Sequence, residues 1–321
     1  MCIKNYQNML MEIQNKIINN QFKYKNTIIV GDNSSGKSEI LKLLFKDNPN
    51  GYYFIDSVNR SFDYSKVSVL NDLEKGTYKS VVNTRINNEI KFNLEDSFDV
   101  YGDGLCSIEQ IYFNYSEHVR QLFKYLLNID FNIIIKDLPM GIKKPSVIVE
   151  NERDKLSSGF QAIIRLLLEI CYFEDSIEEN INESVIVIDE INEFLSSKNE
   201  EKILPFLMKE FDKMNFIITT HSAEVIASSV DCNIIALKND KYQWLDGNDF
   251  ESVTDAREIF TQIYDKPYIE KTNDIEIVLR NLLNLKISNN WTEVEENKLR
   301  NIEEEKLSTA QKLLLNQIKS W

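Results

Sequence analysis

The eight residues Gly31-Asp32-Asn33-Ser34-Ser35-Gly36-Lys37-Ser38 satisfy the pattern GxxxxGK[ST]. In a loop of this kind backbone amides curl round a phosphate chain, and the helix that follows directs its dipole at the same charge. Lys37 is then placed to neutralise β and γ oxygens and Ser38 to ligate Mg²⁺. A second run, Ser184-Val185-Ile186-Val187-Ile188-Asp189-Glu190, reads as a buried strand that ends in two adjacent carboxylates. Beside a phosphate loop, Asp189 suits the Mg²⁺ shell and Glu190 suits the orientation and deprotonation of an attacking water. Standing alone, the pair would be an ordinary solvated strand end. A third string, Leu156-Ser157-Ser158-Gly159-Phe160-Gln161, precedes an apolar helix over Ala162 to Phe173 and by itself reads as a Ser N-cap. The fourth, Phe216-Ile217-Ile218-Thr219-Thr220-His221-Ser222, is another buried strand, closed by a histidine.

The elements that must position these groups are legible as short β-branched runs. Thr27 to Val30, Tyr52 to Ile55, Ser146 to Val149, Ser184 to Ile188 and Phe216 to Thr220 are continuous apolar segments separated by helical stretches. Runs of this kind suit strands buried on both faces, so the expectation is an α/β fold with a mainly parallel sheet covered by helices. Ile3, Tyr6, Leu10, Ile13 and Ile17 recur at steps of three and four, which predicts an opening amphipathic helix. The segment 61–145 reads as an inserted lobe with a hairpin-like stretch at Lys79 to Leu94 and a helix from Ile108 to Leu127. A late hairpin joins Ile234–Leu237 to Tyr242–Leu245 around Asn239-Asp240. After Pro267 the pattern is helical, with capping boxes at Thr292–Glu295 and Ser308–Gln311. The expected organisation is a core formed by 1–60 and 146–265, the inserted lobe, and a C-terminal helical extension over 268–321.

Composition narrows the chemistry. The formal net charge of -14 has the wrong sign for a surface that coats nucleic acid. The 2 histidines, His118 and His221, are too few for a multi-histidine metal cage or an HNH-type nuclease centre. His118 sits in a predicted helix beside Glu117 and receives no role. The 4 cysteines form no CxxC pair, so they read as reduced thiols. No apolar stretch approaches the roughly 20 residues of a membrane span, and no leader is recognisable. The expected setting is cytoplasmic.

Taken in order, the phosphate loop, the Leu156–Gln161 string, the acidic strand and the histidine resemble the Walker A, signature, Walker B and switch motifs of ABC-type ATPases. The resemblance covers Thr27–Phe45 and Ile148–Ser229, under half of the chain. GDNSSGKS is similar to the GxNxSGKS loop of the RecF, SMC and OLD-like branch, as is the plain TTHS. The resemblance implies a P-loop NTPase fold and ATP hydrolysis to ADP and phosphate, with ATP and Mg²⁺ as ligands. It implies nucleotide contacts from Gly31 through Ser38, and Ser38 and Asp189 on the metal. Lys37, Glu190 and His221 are the implied catalytic groups, with the His221 imidazole against the γ-phosphate. Ser157 and Gly159 of a second protomer would meet that phosphate in a head-to-tail homodimer or higher oligomer.

The sequence also departs from the family pattern. LSSGFQ has Ser158 for Gly and Phe160 before Gln161. No glutamine follows Tyr52–Ile55, Asn59 being the nearest amide. The opening helix replaces antiparallel strands, leaving Phe22 and Tyr24 as candidates for adenine stacking. The residues Ile191 to Leu195 lack a transporter-like D-loop sequence. The resemblance therefore points to DNA repair and maintenance, or to the sensor ATPase of a bacterial antiviral defence system beside a separate nuclease or toxin effector. A transporter subunit is the alternative. No acidic cluster resembling a Toprim centre follows His221.

Overall fold

The computed structural model describes residues 2–32, 34–46, 49–57, 60–68, 73–88, 98–101, 106–137, 139, 143–150, 155–181, 183–238, 241–250, 252–257, 279, 282, 286, 291–300, 302, 315, 318 and 319. The chain divides into two units, Met1–Tyr264 and Asp265–Trp321.

In the first unit the elements run α1 (Cys2–Ile18), β1 (Asn26–Gly31), α2 (Lys37–Leu44), β2 (Tyr52–Ile55), α3 (Tyr78–Asn88), α4 (Tyr112–Leu127), β3 (Phe131–Asp137) and β4 (Lys143–Val149). They continue with α5 (Ser158–Ser176), β5 (Ser184–Ile188), α6 (Ser197–Glu210), β6 (Met214–Thr220), α7 (Ala223–Ala227), β7 (Cys232–Lys238) and β8 (Lys241–Asp246). The main sheet has the order β2-β5-β6-β1-β7-β8. All its pairings are parallel except β7 with β8, the hairpin expected from Ile234–Leu245, whose turn residues 239 and 240 lie outside the described residues. Ile28, Ile29, Ile186, Val187, Ile217 and Ile218 are buried on both faces, as continuous apolar strands require. Each such side chain contributes roughly 1.5–3 kcal/mol by leaving water.

The strand order carries the functional consequence. With Ile188 paired to Ile218 and Val30 to Thr220, the carboxyl ends of β5, β6 and β1 lie side by side. This edge is where ligands bind in open α/β sheets. Helix α1 forms as its apolar spacing predicts, burying Leu10, Ile13 and Ile17, and Gln14 Nε2 donates to the Leu43 carbonyl of α2 at 2.6 Å.

Two sequence expectations need correction. Ser146–Val149 belongs to β4, which pairs antiparallel with β3 in a separate two-stranded sheet. Val147 and Val149 are buried while Ser146 and Ile148 are half-buried, so this strand packs one face only and the apolar run misrepresents it. The hairpin-like stretch is in fact α3 over its first part. Tyr78, Val81, Val82 and Arg85 share a buried face at helical spacing, and β-branched residues had disguised that period. Residues 89–94 of that expectation lie outside the described residues.

In the second unit Leu279, Leu282, Leu315 and Ile318 form a small apolar cluster, with Trp291, Leu299 and Ile302 packed on it. A helix spans Glu293–Arg300, and its Thr292 cap is met by the Glu295 carboxylate, which accepts from the Thr292 backbone N–H at 3.1 Å. The second expected capping box, Ser308–Gln311, lies outside the described residues.

Candidate functional site

β1 ends at Gly31, and the loop re-enters a helix at Lys37. A Cβ on Gly31 would stand 2.2 Å from Ser35 Oγ, so the loop closes only over a glycine. Gly36 has φ +103°, a conformation that side chains disfavour, and a Cβ there would meet the Tyr6 hydroxyl at 2.4 Å. Ser34 also takes a positive φ of 65°. These turns bring the loop round a cavity of ≈ 400 Å³ lined by Tyr6, Ser34, Ser35, Gly36, Lys37, Ser38, Glu39 and Glu190. Gly31 and Asp32 do not line it, and Asn33 lies outside the described residues.

Lys37 is 6% exposed, and its ammonium donates to the Gly31 carbonyl at 3.0 Å. The same Nζ lies 2.9 Å from His221 Nε2 and 3.4 Å from Glu190 Oε1, while His221 Nε2 lies 3.0 Å from Glu190 Oε1. A single ring nitrogen offers either a lone pair or a proton. With the lone pair it accepts from Lys37, and with the proton it donates to Glu190, so His221 bonds one of them at a time. Burial raises the pKa of Glu190, but the His221 and Lys37 contacts outweigh it and hold the carboxyl below its ordinary range. Glu190 is thereby ionised at neutral pH.

Asp189 is in the opposite situation. Burial pushes its pKa up, against the pull of the Thr219 hydroxyl, which donates to Oδ1 at 2.6 Å. Ser38 Oγ donates to Asp189 Oδ2 at 3.2 Å, so the two expected metal-binding groups stand together. Among the described residues no group of three or more His, Cys, Asp or Glu could form a metal cage. A Mg²⁺ held by one hydroxyl and one carboxylate, with phosphate and water completing its shell, suits this donor set. Within the loop, the buried Ser35 Oγ has no hydrogen-bond partner among the described residues, which fits a loop built to meet phosphate oxygens.

Ser157 caps α5 by accepting from the Phe160 N–H at 3.2 Å. Neither Ser157 nor Gly159 lines the cavity, and Ser157 is exposed. Gly159 instead abuts the turn after Glu190: a Cβ on it would lie 3.1 Å from the Phe194 carbonyl. That turn is closed by Glu193 N–H to the Glu190 carbonyl at 3.0 Å, and both Glu190 (φ 51°) and Phe194 (φ 63°) adopt left-handed backbone. Strain of this kind concentrates at functional sites.

Three participants escaped the sequence reading. Tyr6 of α1 lines the cavity and donates to Glu39 Oε2 at 3.0 Å; its helical spacing marked it only as part of an apolar stripe. Thr219 serves both acids, accepting from the Glu190 N–H at 2.7 Å while donating to Asp189. Arg60 is buried behind the acidic strand, where its Nη2 donates to the Asp189 carbonyl at 2.8 Å. The aromatic candidates Phe22 and Tyr24 are displaced. They precede β1 at its amino end, about 20 Å of strand away from Gly31, and Tyr24 is held there by Asp246 and Asn248. Asn59 lies outside the described residues.

No family model matches the chain. A stretch of 90 residues, 26% of the chain, is 32% identical to "Retron Ec83 probable ATPase" of Escherichia coli, and it spans only 17% of that protein's length. A structure titled for ATP-driven dimerization and DNA-stimulated activation of SMC ATPases is 13% identical, with a TM-score of 0.34 over 49% of this chain and 97% of that one. A bacterial Atm1-family ABC exporter with ATP bound is 15% identical, with a TM-score of 0.34 over 73% of this chain and 36% of that one. In the order of its four motifs the chain resembles ABC-type and SMC-like ATPases. No helix among the described residues is long and apolar enough to cross a membrane.

Proposed function

We propose that the chain binds ATP with Mg²⁺ and hydrolyses it, and that ATP joins two copies head to tail. The observation that carries this reading is the convergence of Lys37, Ser38, Asp189, Glu190 and His221 at the carboxyl ends of three adjacent strands. Loop amides and Lys37 would hold the phosphate chain, and Ser38 with Asp189 would hold the metal, which supplies charge neutralisation between phosphate oxygens. Glu190, ionised and next to the phosphate end of the cavity, would orient a water and take its proton. Because His221 Nε2 serves Lys37 or Glu190 but not both, a phosphate that engages Lys37 would free the imidazole for Glu190 or for the phosphate itself.

The exposed Ser157 and the Gly159 backbone at the start of α5 are absent from the lining of their own chain's cavity, which supports their use by a neighbour. Glu190→Gln is expected to bind ATP normally, to lower turnover by at least about 10²-fold and to accumulate an ATP-bound dimer. Unchanged turnover in this variant would remove Glu190 from its role. For the shared site, Lys37→Ala and Ser157→Arg should each be inactive, and their mixture should regain activity beyond the sum of the two. Strictly additive mixtures, with specific activity independent of dilution, would leave each chain acting alone.

A second reading concerns setting. The segment shared with a retron ATPase favours a sensor ATPase beside a separate effector over a transporter subunit. Co-purification with a membrane protein would reverse that preference.

A further inference from the structure

Arg60 occupies the stretch after β2 where the family resemblance anticipates an amide. It is 4% exposed, and its surroundings are charged in an unusual way for an interior. Glu169 of α5 lies among three cations. Arg85 grips it with both terminal nitrogens, at 2.7 and 2.9 Å, Arg165 Nε donates to it at 2.9 Å, and Arg60 is close enough to act on it electrostatically. Arg165 also donates to the Ser61 carbonyl at 3.1 Å, and Arg85 to the Phe54 carbonyl at 2.5 Å. The strand β2 and the residues next to Arg60 are thus fastened to α5 by guanidinium groups. Arg60 itself spends Nη2 on one acceptor, the Asp189 carbonyl, and its Nε has no hydrogen-bond partner among the described residues. A buried cation with so few bonds is a poor contributor to stability.

Among the described residues its one hydrogen bond falls on a particular peptide. The Asp189 carbonyl and the Glu190 N–H belong to one peptide unit, and the two sides of that unit are held separately: the carbonyl by Arg60 at 2.8 Å and the N–H by Thr219 Oγ1 at 2.7 Å. The plane of this peptide sets the backbone of Glu190, which stands at φ 51° and directs its carboxylate toward Lys37 and His221. Released on either side, a residue other than glycine would relax toward negative φ and swing its side chain out of reach.

We infer that Arg60 is a positioning residue: it fixes the Asp189–Glu190 peptide so that Glu190 reaches the phosphate end of the cavity, and α5 holds it in place through Arg165 and Ser61. The inference rests on the proposed hydrolysis, and its test separates the two. ATP binding and single-turnover hydrolysis are measured on the full chain for wild type, Arg60→Met, Arg60→Lys, Glu190→Gln and the double variant Arg60→Met with Glu190→Gln. Arg60→Met should lower the hydrolysis rate at least about 10-fold while changing ATP affinity less than about 2-fold. Arg60→Lys, which still offers one cationic donor, should recover part of the rate. In the Glu190→Gln background, Arg60→Met should make no further difference, because the group it positions is already disabled. A merely structural arginine would weaken ATP binding in every background and would lower the residual rate of Glu190→Gln as well, and that pattern overturns the inference. So does an Arg60→Met enzyme with wild-type turnover. Should Arg60→Met fail to fold, Arg60→Lys alone and combined with Glu190→Gln are read by the same two criteria. A wild-type chain that neither binds nor hydrolyses ATP would overturn the proposed function as well, and that failure is visible before any Arg60 variant is measured.

Discussion

Thr219 offers a sharp test of how the acidic strand is held. Its hydroxyl is fully buried, donates to the Asp189 carboxylate at 2.6 Å and accepts from the Glu190 N–H at 2.7 Å. Thr219→Val keeps the shape and is favoured in strands, so propensity and packing alone predict no loss. Hydrogen bonding predicts the reverse. A bond to a charged group is worth about 1.5–3 kcal/mol, and an orphaned buried N–H costs about 1–3 kcal/mol more, so the variant should lose about 2.5–6 kcal/mol. Thr219→Ser keeps both bonds and loses one methyl, at about 1 kcal/mol. The order of stability by urea denaturation should therefore be wild type, then Ser, then Val, with Val about 1.5 kcal/mol or more below Ser.

The gap should also depend on pH. Asp189 holds its proton to higher pH in the folded chain than in the unfolded one, so the folded state binds more protons in that window and stability falls as pH rises through it. Removing the Thr219 donor raises this pKa further. The Val variant should lose more stability than the Ser variant as pH climbs above the ordinary aspartate value of 3.8, and the gap should narrow in acid to the part left by the orphaned Glu190 N–H. A Ser variant no more stable than Val, or a gap that does not change with pH, would refute the reasoning.

Three further outcomes follow from other contacts. Gly36→Ala should weaken nucleotide binding at least about 10-fold, measured with a fluorescent ATP analogue, because a Cβ at φ +103° costs on the order of 1–2 kcal/mol and meets the Tyr6 hydroxyl; Tyr6→Phe should relieve part of the accompanying loss of stability. Glu169→Gln removes the carboxylate that Arg85 and Arg165 share and should cost about 3–5 kcal/mol in urea denaturation, whereas a loss below about 1 kcal/mol would show the cluster to be weakly held. Cys171 and Cys232 have thiols pushed up to about 12, chiefly by burial, so peptide mapping after iodoacetamide treatment at neutral pH should find both unmodified until the chain is unfolded.

Local pattern along the chain encodes much of the chemistry. A phosphate loop needs its glycines, lysine and serine contiguous, and a strand buried on both faces is a contiguous apolar run, so Gly31–Ser38, β1, β5 and β6 could be read along the chain. Helix α1 was equally legible from its spacing. The rest of the site depends on which strands lie next to each other, which no local pattern states. Strand order places Thr219 against both acids, thirty positions from Asp189, and brings His221 between Lys37 and Glu190. The two-stranded pairing of β3 with β4 was hidden because an apolar run does not name its partner, and α3 was hidden because β-branched residues imitate a strand until their buried face is seen. Arg60 marks the limit most plainly. An arginine in sequence reads as surface, and only the fold shows it beneath a peptide 129 residues away, its cationic charge buried among Glu169, Arg165 and Arg85.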